Sequence, residues 1–176
     1  MHAELPRVAD LMMEAFYEEK GMWKRLYQLA ELNRLQQNFA YADQVDVHQM
    51  LVVVVEEDED NDNPPHVVVG FCDIDLRPLP KDFKFQLPRP YLSDLCISTE
   101  YRRKGLAKAL VEASEHFCKS HNHNELWIRV HETNEAALQM YRQGLGYDIA
   151  SKALDETSKK AIEQKLMICT LHKSLA

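Results

Sequence analysis

The stretch YLSDLCISTEYRRKGLAKALVEASEHF, residues 91–117, switches abruptly from one periodicity to another. Its first eight residues are apolar and β-branched enough for a strand, and "RRKG" breaks the pattern. From about Gly105 to Lys119 the positions Leu106, Leu110, Ala113 or Ser114, and Phe117 then fall on one helical face. A strand feeding a helix through a basic, glycine-containing turn constrains both fold and chemistry. The helix start exposes unpaired N–H groups and a partial positive charge, which together favour a phosphate. Gly105 permits close backbone approach, and Arg102, Arg103 and Lys104 can add charge-assisted bonds.

The charge is unusual for its surroundings, because the chain carries a net −7. Six of the carboxylates sit in "EEDEDND", Glu56 to Asp62, so the acidity is local and reads as a solvated loop. No basic stripe with interleaved aromatics runs through the sequence, which argues against a nucleic-acid partner. The longest purely apolar run, Met50 to Val55, is too short to span a membrane, and the N-terminus lacks the pattern of a signal peptide. A soluble protein without a membrane partner is expected. Cys72, Cys96, Cys118 and Cys169 are widely spaced, as suits free thiols in a reducing, cytosol-like compartment.

At 176 residues and 45% hydrophobic content, one domain spanning 1–176 is expected. Helical spacing over residues 6–19 is followed by a second helix through Leu26, Leu29, Ala30 and Leu35, with Gly21 between them. "MLVVVV" and "HVVVGFCDID" read as strands of a hairpin whose connection holds the acidic loop and Pro64-Pro65. Four prolines exclude residues 77–90 from a central strand. "ELWIRVH" is a further strand, Asn134 caps a short helix through Tyr141 that Gly144 is placed to end, and "GYDIAS" and "KLMICTLHKS" close the order around a polar segment. The order predicts a mixed α/β architecture on one predominantly antiparallel sheet.

Two motifs carry a family resemblance. "RRKGLA" resembles the [QR]-x-x-G-x-[GA] pyrophosphate loop of the GNAT acetyltransferase superfamily, and "NEAALQMYRQGLGY", Asn134 to Tyr147, resembles its N-x-x-A-x-x-x-Y-x-x-x-G-[FY] signature with one extra residue before the final Gly-Tyr. The texture of "PYLSDLCISTEYRRKGLA" is similar to plant and algal members associated with plastids. Ala107 stands where many members have glycine, and residues 1–5 are too few for the strand that usually opens the family.

The resemblance implies the GNAT fold, a mixed and mostly antiparallel sheet flanked by helices, with a splayed pair of parallel strands. It implies acetyl-CoA as cosubstrate, its pantetheine arm paired with the main chain of Leu95, Cys96 and Ile97 and its pyrophosphate held around Arg102, Arg103, Lys104, Gly105, Leu106, Ala107 and Lys108. Asn134, with Glu135 and Ala136 beside it, matches the pantetheine-contacting position, and Asn134 reads equally as a helix cap. Tyr141 matches the tyrosine that protonates the departing thiolate, and core packing is its structural alternative.

The reaction implied is direct attack of a primary amine on the thioester, with no metal. Tyr91 ranks first as base or water-relay anchor, while strand alternation sets Tyr91, Ser93 and Leu95 opposite Asp94, for which a structural role is expected. Asp73 and Asp75 are candidates to line the amine site; Cys96 reads as packing, and His121 with His123 lacks the companions of a metal site. The acceptor expected is a protein N-terminal or lysine amine. A small amine, serotonin-like or a polyamine, and a noncatalytic acyl-CoA-binding module are the alternatives.

Overall fold

In the computed structural model the described residues are 4–17, 22–37, 39, 46–56, 66–79, 87–156 and 159–175. The acidic loop after Glu56, Gly21 and Pro64-Pro65 lie outside them. Helices α1 (Leu5–Phe16) and α2 (Met22–Gln37) precede strands β1 (His48–Glu56), β2 (His66–Asp75) and β3 (Tyr91–Ile97). A 3-10 turn at Thr99–Tyr101 leads to α3 (Leu106–Ser120), β4 (Glu125–His131), α4 (Glu135–Gln139) and a π-helical turn (Met140–Gly144). Strand β5 (Asp148–Leu154), α5 (Lys159–Glu163) and β6 (Met167–Ser174) complete the order. Six strands hydrogen-bond in the order β1-β2-β3-β4-β6-β5, a mixed sheet in an α/β fold. The parallel pair is β3 with β4, in register at Tyr91↔Trp127 and Leu92↔Ile128, whereas β6 runs antiparallel to both β4 and β5.

Two compact units divide the chain: Met1–Ile74 with Asp94–Val111, and Asp75–Ser93 with Glu112–Ala176. In the first, α1 sends Leu5, Val8, Ala9, Leu11 and Met12 into a core with Leu35, Met50, Val68, Phe71 and Cys96. Its apolar stripe recurs at helical spacing, and Pro6 sits in the first turn, where its missing N–H costs no ladder bond.

Helix α2 departs from expectation. Leu26 and Leu29, two of the apolar positions at helical spacing, are 54% and 63% exposed, and Ala30 is exposed too. The helix instead turns inward Glu31, Leu32 and Leu35, and Gln28 donates to Asp10. Polar bonds chose this face, so hydrophobic spacing alone picked the wrong stripe.

The second unit is built on β4, β6 and β5. Strand β4 alternates cleanly, burying Leu126, Ile128 and Val130, and its seven residues from Glu125 to His131 all pair with β6. Strand β5 is almost wholly exposed and carries Asp148, Ser151 and Lys152, charged and polar residues that suit an edge. The polar segment between the closing strands holds the short helix α5, whose Ala161 is buried; periodicity in five residues is too brief to reveal it.

Candidate active site

Strand β3 is not a plain extended strand. Asp94 has φ 58°, in the left-handed region that non-glycine residues rarely adopt. The alternation expected from Tyr91 to Leu95 is therefore interrupted at Asp94, and the pleat no longer dictates the faces beyond it. Farther along, Cys96 packs its sulfur 3.8 Å from that of Met12. Burial, reinforced by the charges of Asp94, Cys72 and Glu14, pushes the Cys96 thiol up to about 12, which leaves it no thiolate to act as a nucleophile near neutral pH.

From Ile97 the chain enters a tightly braced turn. The Ser98 amide donates to the Val69 carbonyl at 2.8 Å, and the Thr99 amide and hydroxyl both donate to the Glu14 carboxylate at the end of α1. Burial alone would raise the Glu14 carboxyl, but the Thr99 bonds and the positive charges of Arg102 and Arg7 hold it below its ordinary value. Arg102 turns back so that its Nε donates to the Ile97 carbonyl at 3.1 Å. Lys104 lays its ammonium 4.8 Å from the centre of the Tyr101 ring.

Two left-handed residues, Arg103 at φ 64° and Gly105 at φ 83°, flank Lys104. Such changes of hand curl successive amides into an anion-binding hollow. Helix α3 begins at Leu106, and the Ala109 amide closes its first turn on the Gly105 carbonyl at 3.0 Å. A Cβ built on Gly105 would meet nothing within 4 Å, so the glycine serves no internal packing need. The space beside it is open to a ligand, and residues 102–105 and 108 are exposed while Leu106 and Ala107 are half-buried. The donor set fits a diphosphate: a helix start, a curled loop and the exposed cations Arg103 and Lys104, with Arg102 turned back on the Ile97 carbonyl.

The second unit places the other motif. Asn134 caps α4, its Oδ1 accepting from the Ala137 amide at 3.2 Å, so the cap role is present and the amide nitrogen is left out of it. Asn134, Glu135 and Ala136 are exposed. The helix then widens into the π turn from Met140 to Gly144, which accommodates the extra residue that separates Tyr141 from Gly146 in the motif. Gly144, expected to end the helix, lies inside that turn. The end is made by Gly146 at φ 76°, with the Tyr147 amide donating to the Tyr141 carbonyl at 2.9 Å.

Tyr141 is 4% exposed, its ring edge-on to that of Tyr147 with centroids 5.7 Å apart. The Tyr147 hydroxyl donates to Glu115 at 3.0 Å, and the Lys173 ammonium closes on the same carboxylate at 2.8 and 2.9 Å. Burial, then the Glu115 charge and bond, pushes the Tyr147 phenol far up, so it stays protonated. Sequence reading missed this Tyr147-Glu115-Lys173 group; the aromatic that closes the motif was its only signal.

Tyr91 is half-buried at the start of β3, with the Arg89 guanidinium 5.6 Å from its ring centre. Arg89 also meets the Asp75 carboxylate at 3.2 Å, and Arg77 donates to that carboxylate at 2.9 Å. Asp73 bonds the buried His48 at 2.6 Å. Of the two aspartates considered for the amine site, Asp75 is thus engaged in ion pairs with Arg77 and Arg89, and Asp73 in a hydrogen bond with His48. His131 is paired with Asp155 at 3.2 Å, and His121 bonds the Phe117 carbonyl at 2.8 Å. Among the described residues no group of three or more metal-ligating side chains occurs.

The model of the acetyltransferase (GNAT) family matches residues 5–147. The chain belongs to that family. GNAT enzymes use acetyl-CoA, so this is an acetyl-CoA-dependent acetyltransferase acting on an amine. Three solved structures show the likeness of fold. A Salmonella typhimurium protein solved with its cofactor acetyl-CoA has a TM-score of 0.67 at 13% identity, over 100% of this chain and 91% of its own. An aminoglycoside 6'-acetyltransferase of type Ii gives 0.64 at 13%, over 99% and 91%. The NatC complex bound to Gag peptide and CoA gives 0.62 at 18%, over 98% and 91%. No curated protein sequence matches the chain. No described helix is long and apolar enough to cross a membrane.

Proposed function

We propose that this GNAT enzyme, acting as one catalytic domain, acetylates a protein amine, either an N-terminus or a lysine. The observation that carries the cofactor half of this reading is the left-handed Gly105 at the start of α3, with open space where a Cβ would stand. In this reading the amides from Arg103 to Lys108 hold the diphosphate, and the main chain of Leu95 to Ile97 pairs with the pantetheine arm. Arg102 acts indirectly, since its Nε is spent on the Ile97 carbonyl and so braces the strand end. Asn134 combines its cap with a donor to the pantetheine amide.

The amine attacks the thioester carbonyl directly. Its proton must leave first, and Tyr91 at the start of β3 takes it as the phenolate, or through its hydroxyl anchors the water that does. Tyr141 then donates its phenolic proton to the departing sulfur. Burial and the edge-on contact with Tyr147 fix the Tyr141 ring in one orientation, which is what a positioned acid requires. The ion pairs of Asp75 with Arg77 and Arg89 and the hydrogen bond of Asp73 to His48 occupy both carboxylates, which argues against a pocket tuned to a small polycation and so favours the protein acceptor. The plastid-like texture of residues 90–107 is in keeping with protein amines and with serotonin-like amines alike, and with a plastid-stroma or cytoplasmic setting.

The test is release of coenzyme A thiol from acetyl-CoA with a panel of peptides bearing free N-termini, peptides with blocked N-termini and one lysine, serotonin and spermidine. Turnover confined to one peptide class fixes the acceptor. Turnover on serotonin or spermidine alone would overturn the protein-amine reading, and loss of turnover in Tyr91→Phe but not in Ser93→Ala is expected if Tyr91 handles the proton.

A further inference from the structure

The least ordinary backbone position in β3 is also the one tied to another element. Asp94 holds φ 58° in the middle of a strand, and an L-residue there costs free energy unless its surroundings force it. Its carboxylate Oδ2 accepts from Arg34 Nη2 of α2 at 2.8 Å. Arg34 is itself steered, because its Nε donates to Glu31 Oε1 at 2.9 Å and Glu31 is only 5% exposed. Tyr17, at the end of α1, donates to the other Glu31 oxygen at 3.4 Å.

The group is short of positive charge. Burial, with Asp73 and Glu31 close by, pushes the Asp94 carboxyl up, and Arg34 is the cation that opposes this. An aspartate so placed is a poor choice for stability alone. What it obtains is direction: a carboxylate that must reach Arg34 fixes the backbone from which it springs.

We propose that Arg34 is a positioning residue for acetyl-CoA: its ion pair with Asp94 holds that residue left-handed and so aims the main chain of Leu95 to Ile97. The proposal rests on the reading above of Leu95–Ile97 as the segment that pairs with the pantetheine arm. It makes α2, through Arg34, a determinant of cofactor affinity. It also explains the inward polar face of α2, since Glu31 is buried to orient the arginine.

The experiment compares acetyl-CoA dissociation constants by calorimetry, with melting temperatures alongside, for wild type, Arg34→Met, Asp94→Gly, Asp94→Val and Arg34→Met/Asp94→Gly. Glycine reaches positive φ freely and valine hardly at all, although both remove the carboxylate. Arg34→Met and Asp94→Val are expected to weaken binding about tenfold, the ratio that corresponds to losing one forced left-handed residue. Asp94→Gly should stay within about threefold of wild type, and the double variant should recover to the same level.

A role confined to stability would instead lower the melting temperature of Asp94→Gly and Asp94→Val alike without separating their affinities. Equal affinities for those two variants, or an unrescued double variant, overturns the proposal. Should Arg34→Met not fold, the glycine-valine comparison at 94 decides alone. Wild type that takes up no acetyl-CoA would sink the cofactor reading itself, and this proposal with it.

Discussion

Gly70 lies where β2 passes the end of β3, and its replacement can be followed atom by atom. A Cβ built there would stand 2.6 Å from Ile97 Cδ1 and 3.2 and 3.3 Å from Val53 Cγ2 and Cβ. The first distance falls roughly 0.8 Å short of ordinary contact at 3.4 Å, so something must shift. Ile97 is buried and sits in the segment assigned to the cofactor, which gives it little room to turn aside. Overpacking of this kind costs about 1–3 kcal/mol, and the entropy saved by replacing glycine returns about 0.5–1. Gly70→Ala should therefore lose up to about 2.5 kcal/mol, which at about 2–4 °C per kcal/mol for a chain of this size is up to roughly 10 °C in melting temperature.

Ile97→Val removes Cδ1, the very atom in the way, at its own cost of about 0.5–1.5 kcal/mol. If the clash is as described, the double variant should be no less stable than Gly70→Ala, and the coupling from urea unfolding of the four proteins should reach about 1 kcal/mol. Costs that add to within about 0.5 kcal/mol would refute the reasoning, because they would mean that the two side chains do not compete for the same space.

Tyr141→Phe removes a buried hydroxyl with little change of shape, so acetyl-CoA affinity should hold while the rate of thiol release falls about 100-fold; a rate within threefold of wild type would deny it the acid's role. Gly105→Val meets no neighbour but cannot easily adopt φ 83°, so it should cost about 1–2 kcal/mol of stability and weaken acetyl-CoA binding at least about tenfold, as calorimetry would read. For Asp75, burial raises the carboxyl but the bonds and charges of Arg77 and Arg89 outweigh it, leaving it below the ordinary 3.8. Its contribution is present above that value and lost as pH falls through the lowered one, so Asp75→Asn should melt lower near neutrality and converge with wild type in strong acid.

Much of the β3–turn–α3 segment was legible because its signals are local. A strand, a basic turn, one glycine and an amphipathic helix occupy fewer than thirty consecutive residues, and each announces itself by periodicity or by a residue type that few alternatives fit. The strand ELWIRVH, whose alternation survives intact in β4, was equally plain. What the sequence hid depends on partners distant along the chain. The left-handed Asp94 looks like any polar residue of a strand until Arg34, sixty positions earlier, is seen to hold it. The outward Leu26 and Leu29 of α2 misled for the same reason, since Glu31 and Gln28 turn the helix. The π turn was visible only as one surplus residue in a motif, a count whose physical meaning emerges when the backbone is seen to widen at Tyr141.

The most direct measurement titrates the protein with acetyl-CoA and, separately, with S-acetylpantetheine, which keeps the thioester and the arm but lacks the diphosphate. Because the loop at Gly105 is assigned the diphosphate, acetyl-CoA should bind one to one and the truncated compound at least about 100-fold more weakly. Equal affinities for the two, or no heat from acetyl-CoA at all, would contradict the account.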